Sequence, residues 1–273
     1  MSFIAPSFDE VLWETSRTFY LPITGLPHRL REAVAAAYLQ LRAVDEIEDH
    51  PTLLARDKRA LLTALADCLQ TRPIDSRSVL LRSHAASLPA VTMRMEEWLF
   101  LAPEPVRARV AECTSVMARR MADWAASGWR IGDEDDLDRY TYAVAGSVGL
   151  LLADLWAWYD GTDSHRGHAV EYGRMLQAVN IRKDLHTDRH RGVTFLPTGW
   201  DVNRLDLYIQ RKMRYATAYV QALPNGPART FCLLPYELAR ATVDVLAAGG
   251  EKLTRAQVHA IVHRCTENRT SQL

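Results

Sequence analysis

The chain is poor in the features that mark several large classes of protein. Its 273 residues include four cysteines, far apart and without a CxxC pair: Cys68, Cys113, Cys232 and Cys265. This pattern argues against zinc-ribbon and thiol-redox motifs and favours reduced thiols in a cytoplasmic protein. Lysine plus arginine and aspartate plus glutamate both number 33, so the formal net charge is zero. Without a global positive field, the sequence does not indicate binding to nucleic acid.

Long uninterrupted apolar runs are also missing. The N-terminal sequence MSFIAPSFDEVLWE has no basic stretch followed by a long apolar one, so no signal peptide is predicted. The most apolar segment, residues 140–159, carries Asp154 and two glycines, and its apolar part up to Ala153 is short for a membrane span. We therefore predict a buried helix there and no transmembrane segment, while peripheral contact with a membrane stays an open alternative.

Helical periodicity of apolar residues dominates the sequence. Strand-like alternation with hairpin turns, internal repeats and low-complexity segments are not evident. Hydrophobic residues make up 48% of the chain, which is enough for a sizeable core. We predict an all-α fold in a single domain over residues 1–273. The periodicity predicts helices of several turns at residues 30–49, 57–71, 106–127, 136–159, 168–186, 201–223 and 234–248.

Two of the predicted helices carry matching polar faces. Each face ends in two aspartates four positions apart, and further polar residues precede them by one or two turns. Residues three or four positions apart lie on the same side of a helix. The residues at these spacings are Tyr38, Arg42, Asp45 and Asp49 on the first face and Gln177, Asn180, Asp184 and Asp188 on the second.

The carboxylates on these faces repel one another unless a cation lies between them. Like charges at this spacing destabilise an isolated helix by about 0.2–0.5 kcal/mol, and Glu46 and Glu48 bring the first segment to four acids in five residues. Magnesium suits such a site, because it binds oxygen ligands, uses few carboxylates and completes its shell with water and phosphates. We predict Mg²⁺ bridging the two faces and a diphosphate, which becomes a better leaving group. The alternative is two solvated helix faces.

Basic residues beside the aspartates predict phosphate binding. Arg42 is expected to bind a phosphate or to hold Asp45 and Asp49 in place, and Lys183 to offer a point charge to phosphate. An exposed basic cluster is the alternative for the other cations near the second face. These further candidate donors are Arg182, Arg189 and Arg191.

Two glycines in the apolar segment share a helix face with a tyrosine. Tyr142, Gly146 and Gly149 follow one another at spacings of four and three. Glycine inside a helix costs about 1 kcal/mol relative to alanine, so either an apolar ligand tail passes close to the backbone or another helix packs tightly there. Tyr142 is a candidate to face a carbocation with its ring. Plain packing is the expectation for the tryptophans Trp124, Trp129, Trp156 and Trp158.

Together these residues resemble the squalene/phytoene synthase family. The matching pieces occur in family order and cover most of the chain from Ser16 to about Leu246. They are residues 16–20 (SRTFY) followed by Leu26-Pro27, residues 38–49 (YLQLRAVDEIED), residues 142–149 (YAVAGSVG), residues 177–184 (QAVNIRKD) with Asp188, and then Gly192 and Phe195-Leu196-Pro197.

The resemblance implies the all-α isoprenoid-synthase fold, a single helical domain around a central cavity in which magnesium ions bind a prenyl diphosphate. It implies metal binding by Asp45, Asp49, Asn180, Asp184 and Asp188. It implies substrate binding, on the diphosphate side or along the cavity, by Ser16, Arg17, Phe19, Tyr38, Arg42, Gln177, Asn180 and Lys183. The catalytic set that it implies is Asp45, Asp49, Asp184, Asp188 and Tyr142.

The sequence departs from the family pattern mainly at residues that are expected to act after the first ionisation step. Lys183 stands where the family has arginine, and Thr187 where it often has glutamate. Val193 replaces the arginine of a Gly-Arg-x-Tyr-Leu-Pro pattern, and Thr242 replaces a tyrosine on a late helix. All four aspartates remain, so ionisation of one prenyl diphosphate is expected. Binding of a second prenyl diphosphate is the step that these changes put in question.

Three functions follow from this pattern. The main hypothesis is an enzyme that transfers the prenyl cation to a second small molecule, an aromatic or indole-type acceptor. The alternative is head-to-head condensation of two prenyl diphosphates to squalene, phytoene or a presqualene-type product. The third is a non-catalytic helical binding partner, against which the intact aspartates argue.

Overall fold

The computed structural model of the protein describes residues 7–71, 83–190 and 194–270, with the side chains of Arg17 and of residues 188–190 and 268–270 outside the description. Within these ranges the regular secondary structure is helical and no strand occurs. A π-helical turn, Tyr142–Gly146, joins the helix that ends at Thr141 to the helix that begins at Ser147. The helices are α1 (Phe8–Thr15), α2 (Arg17–Thr24), α3 (His28–Glu48), α4 (Ala55–Gln70), α5 (Ala90–Met93), α6 (Met95–Leu101), α7 (Glu104–Ser127), α8 (Glu134–Thr141), α9 (Ser147–Asp160), α10 (Arg166–His190), α11 (Val202–Ala222), α12 (Pro227–Ala247) and α13 (Arg255–Thr270).

The helices group into two compact units, Met1–Gly128 and Trp129–Leu273. In the first unit α3 packs on α5, α6 and α7, and α4 packs along α7. In the second unit α10 packs on α11, α9, the π-helical turn and α12. The first acidic face therefore belongs to the central helix of one unit and the second to the central helix of the other. The single domain predicted from the sequence stays a prediction.

The seven predicted helices are all present, with ends that mostly differ by two residues or fewer. The largest difference is at α12, which begins at Pro227 rather than at residue 234. Proline fits the first turn of a helix, because the N–H that it lacks has no partner there. The pattern missed α1, α2, α5 and α6, which are too short to show a clear period, and α13, whose residues are mostly exposed.

A side-chain cap and two glycines mark the ends of three of the helices. Asp133 caps α8, where its Oδ1 accepts a hydrogen bond from the backbone N–H of Asp136 at 2.8 Å. Gly128 and Gly161 end α7 and α9 in the left-handed conformation, at φ 67° and 75°. Glycine adopts this conformation without the steric penalty that a Cβ atom brings.

One continuous helical stretch among the described residues, Glu134–Asp160, is long and apolar enough to cross a membrane by length and composition. Half of its most apolar window is buried inside the protein. Leu151, Leu155 and Trp156 are within 1% of complete burial, as the prediction of a buried helix requires. A core helix passes the same test of length and composition, so one such helix is weak evidence for a membrane span.

The glycines of this stretch lie where another helix comes very close. A Cβ atom added to Gly149 would meet the carbonyl oxygen of Ala169 on α10 at 2.0 Å. A Cβ atom added to Gly173 on α10 would meet the carbonyl oxygen of Ala145 at 2.2 Å. The glycines on the two sides thus allow backbone-to-backbone contact, and tight helix packing accounts for Gly149.

We predict that Gly149→Ala lowers the free energy of unfolding by about 1–3 kcal/mol, the usual cost of overpacking. The physical reason is that the new methyl group cannot fit beside a backbone carbonyl. Urea denaturation followed by circular dichroism measures the change. Gly167→Ala is the matched control, because its Cβ would touch only the exposed ring of His165. Equal stability of Gly149→Ala and the wild type would show that the two helices are not packed this closely.

Candidate active site

The first acidic face forms the last three turns of α3. Ala43, Val44 and Ile47 are completely buried on the other side of this helix. Tyr38, Arg42 and Asp45 are partly buried and Asp49 is exposed. The predicted face is therefore turned away from the core while its carboxylates still lie close to it.

Burial and mutual repulsion disfavour the charged form of these carboxylates. The pKa of Asp45 is raised to about 7, mainly by burial and in part by the charges of Asp49 and Glu46, while Arg42 opposes the shift. Burial likewise raises the pKa of Glu48 to about 8, with added contributions from Asp49 and Asp45. A carboxylate in this condition gains from any cation that is brought near it.

Lys58 on α4 is one such cation, and sequence reasoning missed it. Its ammonium donates a hydrogen bond to the backbone carbonyl of Glu48, at the end of α3, and its charge lowers the pKa of Glu48. Lys58 is 9% exposed, which is unusual for a lysine. A single lysine on an otherwise ordinary helix gives no signal in the sequence.

Arg42 differs from the prediction that it holds Asp45 and Asp49. Its guanidinium pairs instead with Glu46, one turn further along α3, with Nε 2.9 Å from Oε1. The charge of Arg42 acts on the Asp45 carboxyl, but the structure shows no hydrogen bond between these two side chains. The physical reason is spacing, because a residue four positions later lies directly in line on the helix surface. Phosphate binding by Arg42 stays a prediction.

Ser16, Phe19 and Tyr38 come together at the start of α2. The Ser16 hydroxyl caps α2 by accepting a hydrogen bond from the N–H of Phe19 at 3.0 Å. The Tyr38 hydroxyl donates to the carbonyl of Thr15 at 3.1 Å, and the rings of Phe19 and Tyr38 lie 5.9 Å apart. The side chain of Arg17 lies outside the described residues.

The second acidic face occupies the C-terminal half of α10. Asn180 is exposed, and Gln177 and Asp184 are partly exposed. The Lys183 ammonium lies 3.2 Å from Oδ2 of Asp184 and 3.4 Å from Oδ1 of Asn180. Lys183 therefore contacts two of the predicted metal ligands. The side chain of Asp188 is outside the description.

Arg182 forms an ion pair with the neighbouring helix α11. Its Nε donates to Oδ1 of Asp206 on α11 at 2.8 Å, and only 17% of its side chain is exposed. This ion pair occupies Nε of the guanidinium, and phosphate binding by Arg182 stays a prediction. Arg191 and the side chain of Arg189 lie outside the described residues.

Tyr142 begins the π-helical turn, a local widening of the helix that often marks functional sites. The guanidinium of Arg174 on α10 lies over its ring, 5.6 Å from the centroid. Arg174 in turn pairs with Glu171 at 2.6 Å and donates to the carbonyl of Asp138 at 3.1 Å. One face of the ring thus already has a cationic partner, and contact of Tyr142 with a carbocation stays a prediction.

Phe195, which stands where the family pattern has tyrosine, and Thr242 both have local partners. Phe195 stacks on Tyr140 with ring centroids 4.7 Å apart. Thr242 donates its hydroxyl hydrogen bond to the carbonyl of Leu238, inside its own helix, at 2.8 Å. Val193 lies outside the described residues. Trp156 is buried against Phe231, in agreement with the packing expected for it.

A family model described as squalene/phytoene synthase matches residues 12–207. The match covers more than half of the chain and includes both acidic faces. This protein belongs to the squalene/phytoene synthase family. The resemblance inferred from the motifs is thereby confirmed.

Curated relatives of the chain include squalene synthases from fungi and mammals. The squalene synthase of Eremothecium gossypii is 27% identical over 288 residues, which cover 91% of this chain and 63% of the relative. That of Schizosaccharomyces pombe is 31% identical over 192 residues, covering 66% and 41%. The human squalene synthase is 27% identical over 261 residues, covering 84% and 60%. The chain thus spans less than two thirds of the length of these relatives.

Solved structures show the same fold. A complex of TcSQS with a ligand superposes with a TM-score of 0.78 at 22% identity, covering 94% of this chain and 84% of the other. A dehydrosqualene synthase with a ligand gives a TM-score of 0.64 at 17% identity, covering 97% and 95%. The predicted all-α isoprenoid-synthase fold is therefore confirmed.

The donor groups on each face fit magnesium. Among the described residues, no three His, Cys, Asp or Glu side chains gather into a ready-made metal cluster. Asp45 and Asp49 on one face, and Asp184 with the amide oxygen of Asn180 on the other, offer oxygen atoms only. Magnesium is commonly held by one or two carboxylates together with water and substrate phosphates, so sparse oxygen donors on each face suit it.

We predict that, with metal ions removed by a chelator, Asp45→Asn has a free energy of unfolding higher than that of the wild type at pH 8, by about 1–3 kcal/mol. The pKa of Asp45 rises from 3.8 to about 7 on folding. Stability from the neutral carboxyl is therefore complete only below pH 3.8 and is lost as the pH rises through 7, whereas asparagine does not titrate. Urea unfolding at several pH values measures this.

The exposed Asp67→Asn, at a surface pair with Arg119, is the control for this measurement. Between pH 5 and pH 8, we expect the stability of this control relative to the wild type to change less than that of Asp45→Asn. Parallel stability profiles of Asp45→Asn and the wild type would contradict the burial-driven shift at Asp45.

Proposed function

We propose that this protein is a magnesium-dependent prenyltransferase that condenses two prenyl diphosphates head to head with release of diphosphate. The observation that carries the proposal is the family match across both acidic faces. Relatives named squalene synthases support this condensation over the aromatic acceptor favoured from the sequence. A cytoplasmic location and peripheral contact with a membrane stay predictions.

The proposed metal ligands are the four aspartates, aided by Asn180. When bound, Mg²⁺ neutralises the diphosphate and makes it a better leaving group. Asp45 and Asp49 supply carboxylate oxygens from α3, and Asp184 and Asp188 supply them from α10. The partly buried position of Asp45 strengthens its interaction with cations, because a lower local dielectric weakens screening.

Basic and polar side chains would take up the charge that develops on the leaving group. Lys183 lies beside Asp184 and Asn180, so its ammonium is placed to bind a phosphate oxygen near the metal ligands. Ser16, Arg17 and Arg42 are the corresponding candidates in the first unit, and Gln177 supports the second face. Positive groups held in place before the reaction stabilise the departing diphosphate without reorganisation.

Aromatic side chains would protect the allylic cation from water. The C–O bond to diphosphate breaks, and its electron pair leaves with the diphosphate. The double bond of the second prenyl group supplies the electrons for the new C–C bond, and a proton is then lost. Phe19 and Tyr38, which pack together, and Tyr142 on the π-helical turn are the proposed walls.

We predict that Asp45→Asn and Asp184→Asn each lower turnover by at least about 100-fold, because each removes a carboxylate that binds the metal ions. Diphosphate release in the presence of Mg²⁺ and a prenyl diphosphate measures turnover. Circular dichroism shows whether the variants remain folded. Asp67→Asn and Asp244→Asn, both at exposed positions, are matched controls that we expect to keep normal activity. Near-normal turnover in both site variants would refute the assignment.

We predict that farnesyl or geranylgeranyl diphosphate with Mg²⁺ alone yields a product with twice the carbon number of the substrate. Mass spectrometry of extracts made with and without indole identifies the product. Diphosphate release that requires indole, with a prenylated indole as the product, would replace condensation by the aromatic-acceptor reaction. No turnover under either condition would contradict both enzymatic functions.

A further inference from the structure

A cationic cavity lies in the second unit, away from the acidic face of α10. Its volume is about 580 Å³. No acidic side chain is among its lining residues, which are His168 of α10 and Arg211, Lys212, Arg214, Tyr215 and Ala218 of α11. His168 precedes Asn180 by twelve residues, or about 18 Å along the helix. The cavity is therefore distinct from the proposed metal-binding face.

Lys212 is the buried member of this lining, at 9% exposure. Its ammonium lies 2.9 Å from Oδ1 of Asp138 and 2.9 Å from Oε2 of Glu171. An ammonium has three N–H donors, so these two contacts leave one donor for another acceptor. The ion pairs also hold Lys212 in place, and its position is fixed before any ligand arrives.

The arginines of the lining bring additional positive charge. Arg211 pairs with Glu134 at the surface, a contact of small energy in water. Arg214 is exposed, and no hydrogen-bond or ionic partner for it occurs among the described residues. A guanidinium offers five donors in a fork that matches phosphate oxygens.

The charges around the cavity leave a positive excess. Four cations, Arg174, Arg211, Lys212 and Arg214, stand against three carboxylates, Glu134, Asp138 and Glu171. The carboxylates already have cationic partners and do not line the cavity. His168 adds a polar ring in the first turn of α10, where the helix dipole favours an anion.

We propose that this cavity binds the phosphate or diphosphate group of an anionic ligand. The ligand group would accept hydrogen bonds from Lys212 and from the guanidiniums of Arg211 and Arg214. The site goes beyond the proposed function and does not depend on it, because no metal ion and no acidic face takes part. Its ligand is either a soluble phosphate compound or the headgroup of a phospholipid, which present the same chemistry.

Calorimetric titration with inorganic diphosphate in EDTA, at constant ionic strength, tests the site without metal-mediated binding at the acidic faces. We expect measurable binding that Arg214→Ala weakens about tenfold or more, as loss of one charge-assisted contact implies. Lys212 is left intact, since its removal would strand two buried carboxylates. Sedimentation with phosphatidylcholine vesicles containing phosphatidic acid tests the lipid headgroup.

One variant controls for non-specific charge effects. Arg204→Ala removes the same charge from α11, at an arginine that lies over Trp200. We expect it to bind diphosphate or vesicles like the wild type. Binding to either probe that depends on Arg214 supports the site and identifies its ligand source. No binding to either probe, or equal losses in Arg214→Ala and Arg204→Ala, would overturn the proposal.

Discussion

Repulsion among carboxylates held near the core is the constraint that gives this chain its chemical character. Four acids crowd the last turns of α3, and the burial of Asp45 and Glu48 raises the pKa of both groups. The ammonium of Lys58 on α4 offsets part of this negative charge. The ion pair between Arg42 and Glu46, within α3, offsets another part. The charge that remains favours binding of cations from outside the chain, and protonation of the carboxyls in their absence. This preference links an unfavourable local arrangement to the metal-dependent chemistry that we propose for this family member.

Local patterns allowed the long helices and both acidic faces to be predicted, because a period of 3.6 residues fixes which residues share a side. Partner choice was less predictable. Arg42 pairs with Glu46 rather than Asp45, and Arg182 pairs with Asp206 on another helix. Such contacts depend on how neighbouring helices pack, and the spacing of residues within one helix gives no information about that packing. The glycines gave an ambiguous signal for the same reason, and only the 2.0 Å approach at Gly149 distinguishes packing from a ligand channel.

The departures from the family pattern are conservative in their local effects. Lys183 still places a positive charge beside Asp184 and Asn180, although an ammonium lacks the fork of a guanidinium. Thr242 turns its hydroxyl back to its own helix, and Phe195 finds a stacking partner in Tyr140. These residues are accommodated without loss of the fold shared with solved squalene synthase structures. We therefore expect these departures to affect the choice of the second substrate, which reacts after the first has ionised, rather than folding.

The central proposal is that the aspartates of each acidic face are needed for magnesium-dependent binding of a prenyl diphosphate. A thermodynamic cycle of Mg²⁺-dependent binding tests it, using a non-reactive thiolodiphosphate analogue with the wild type, Asp45→Asn, Asp184→Asn and the double variant. The account predicts that each single change removes most of the binding energy and that the double change adds little further. Fully additive losses, or binding that either change leaves intact, would contradict it.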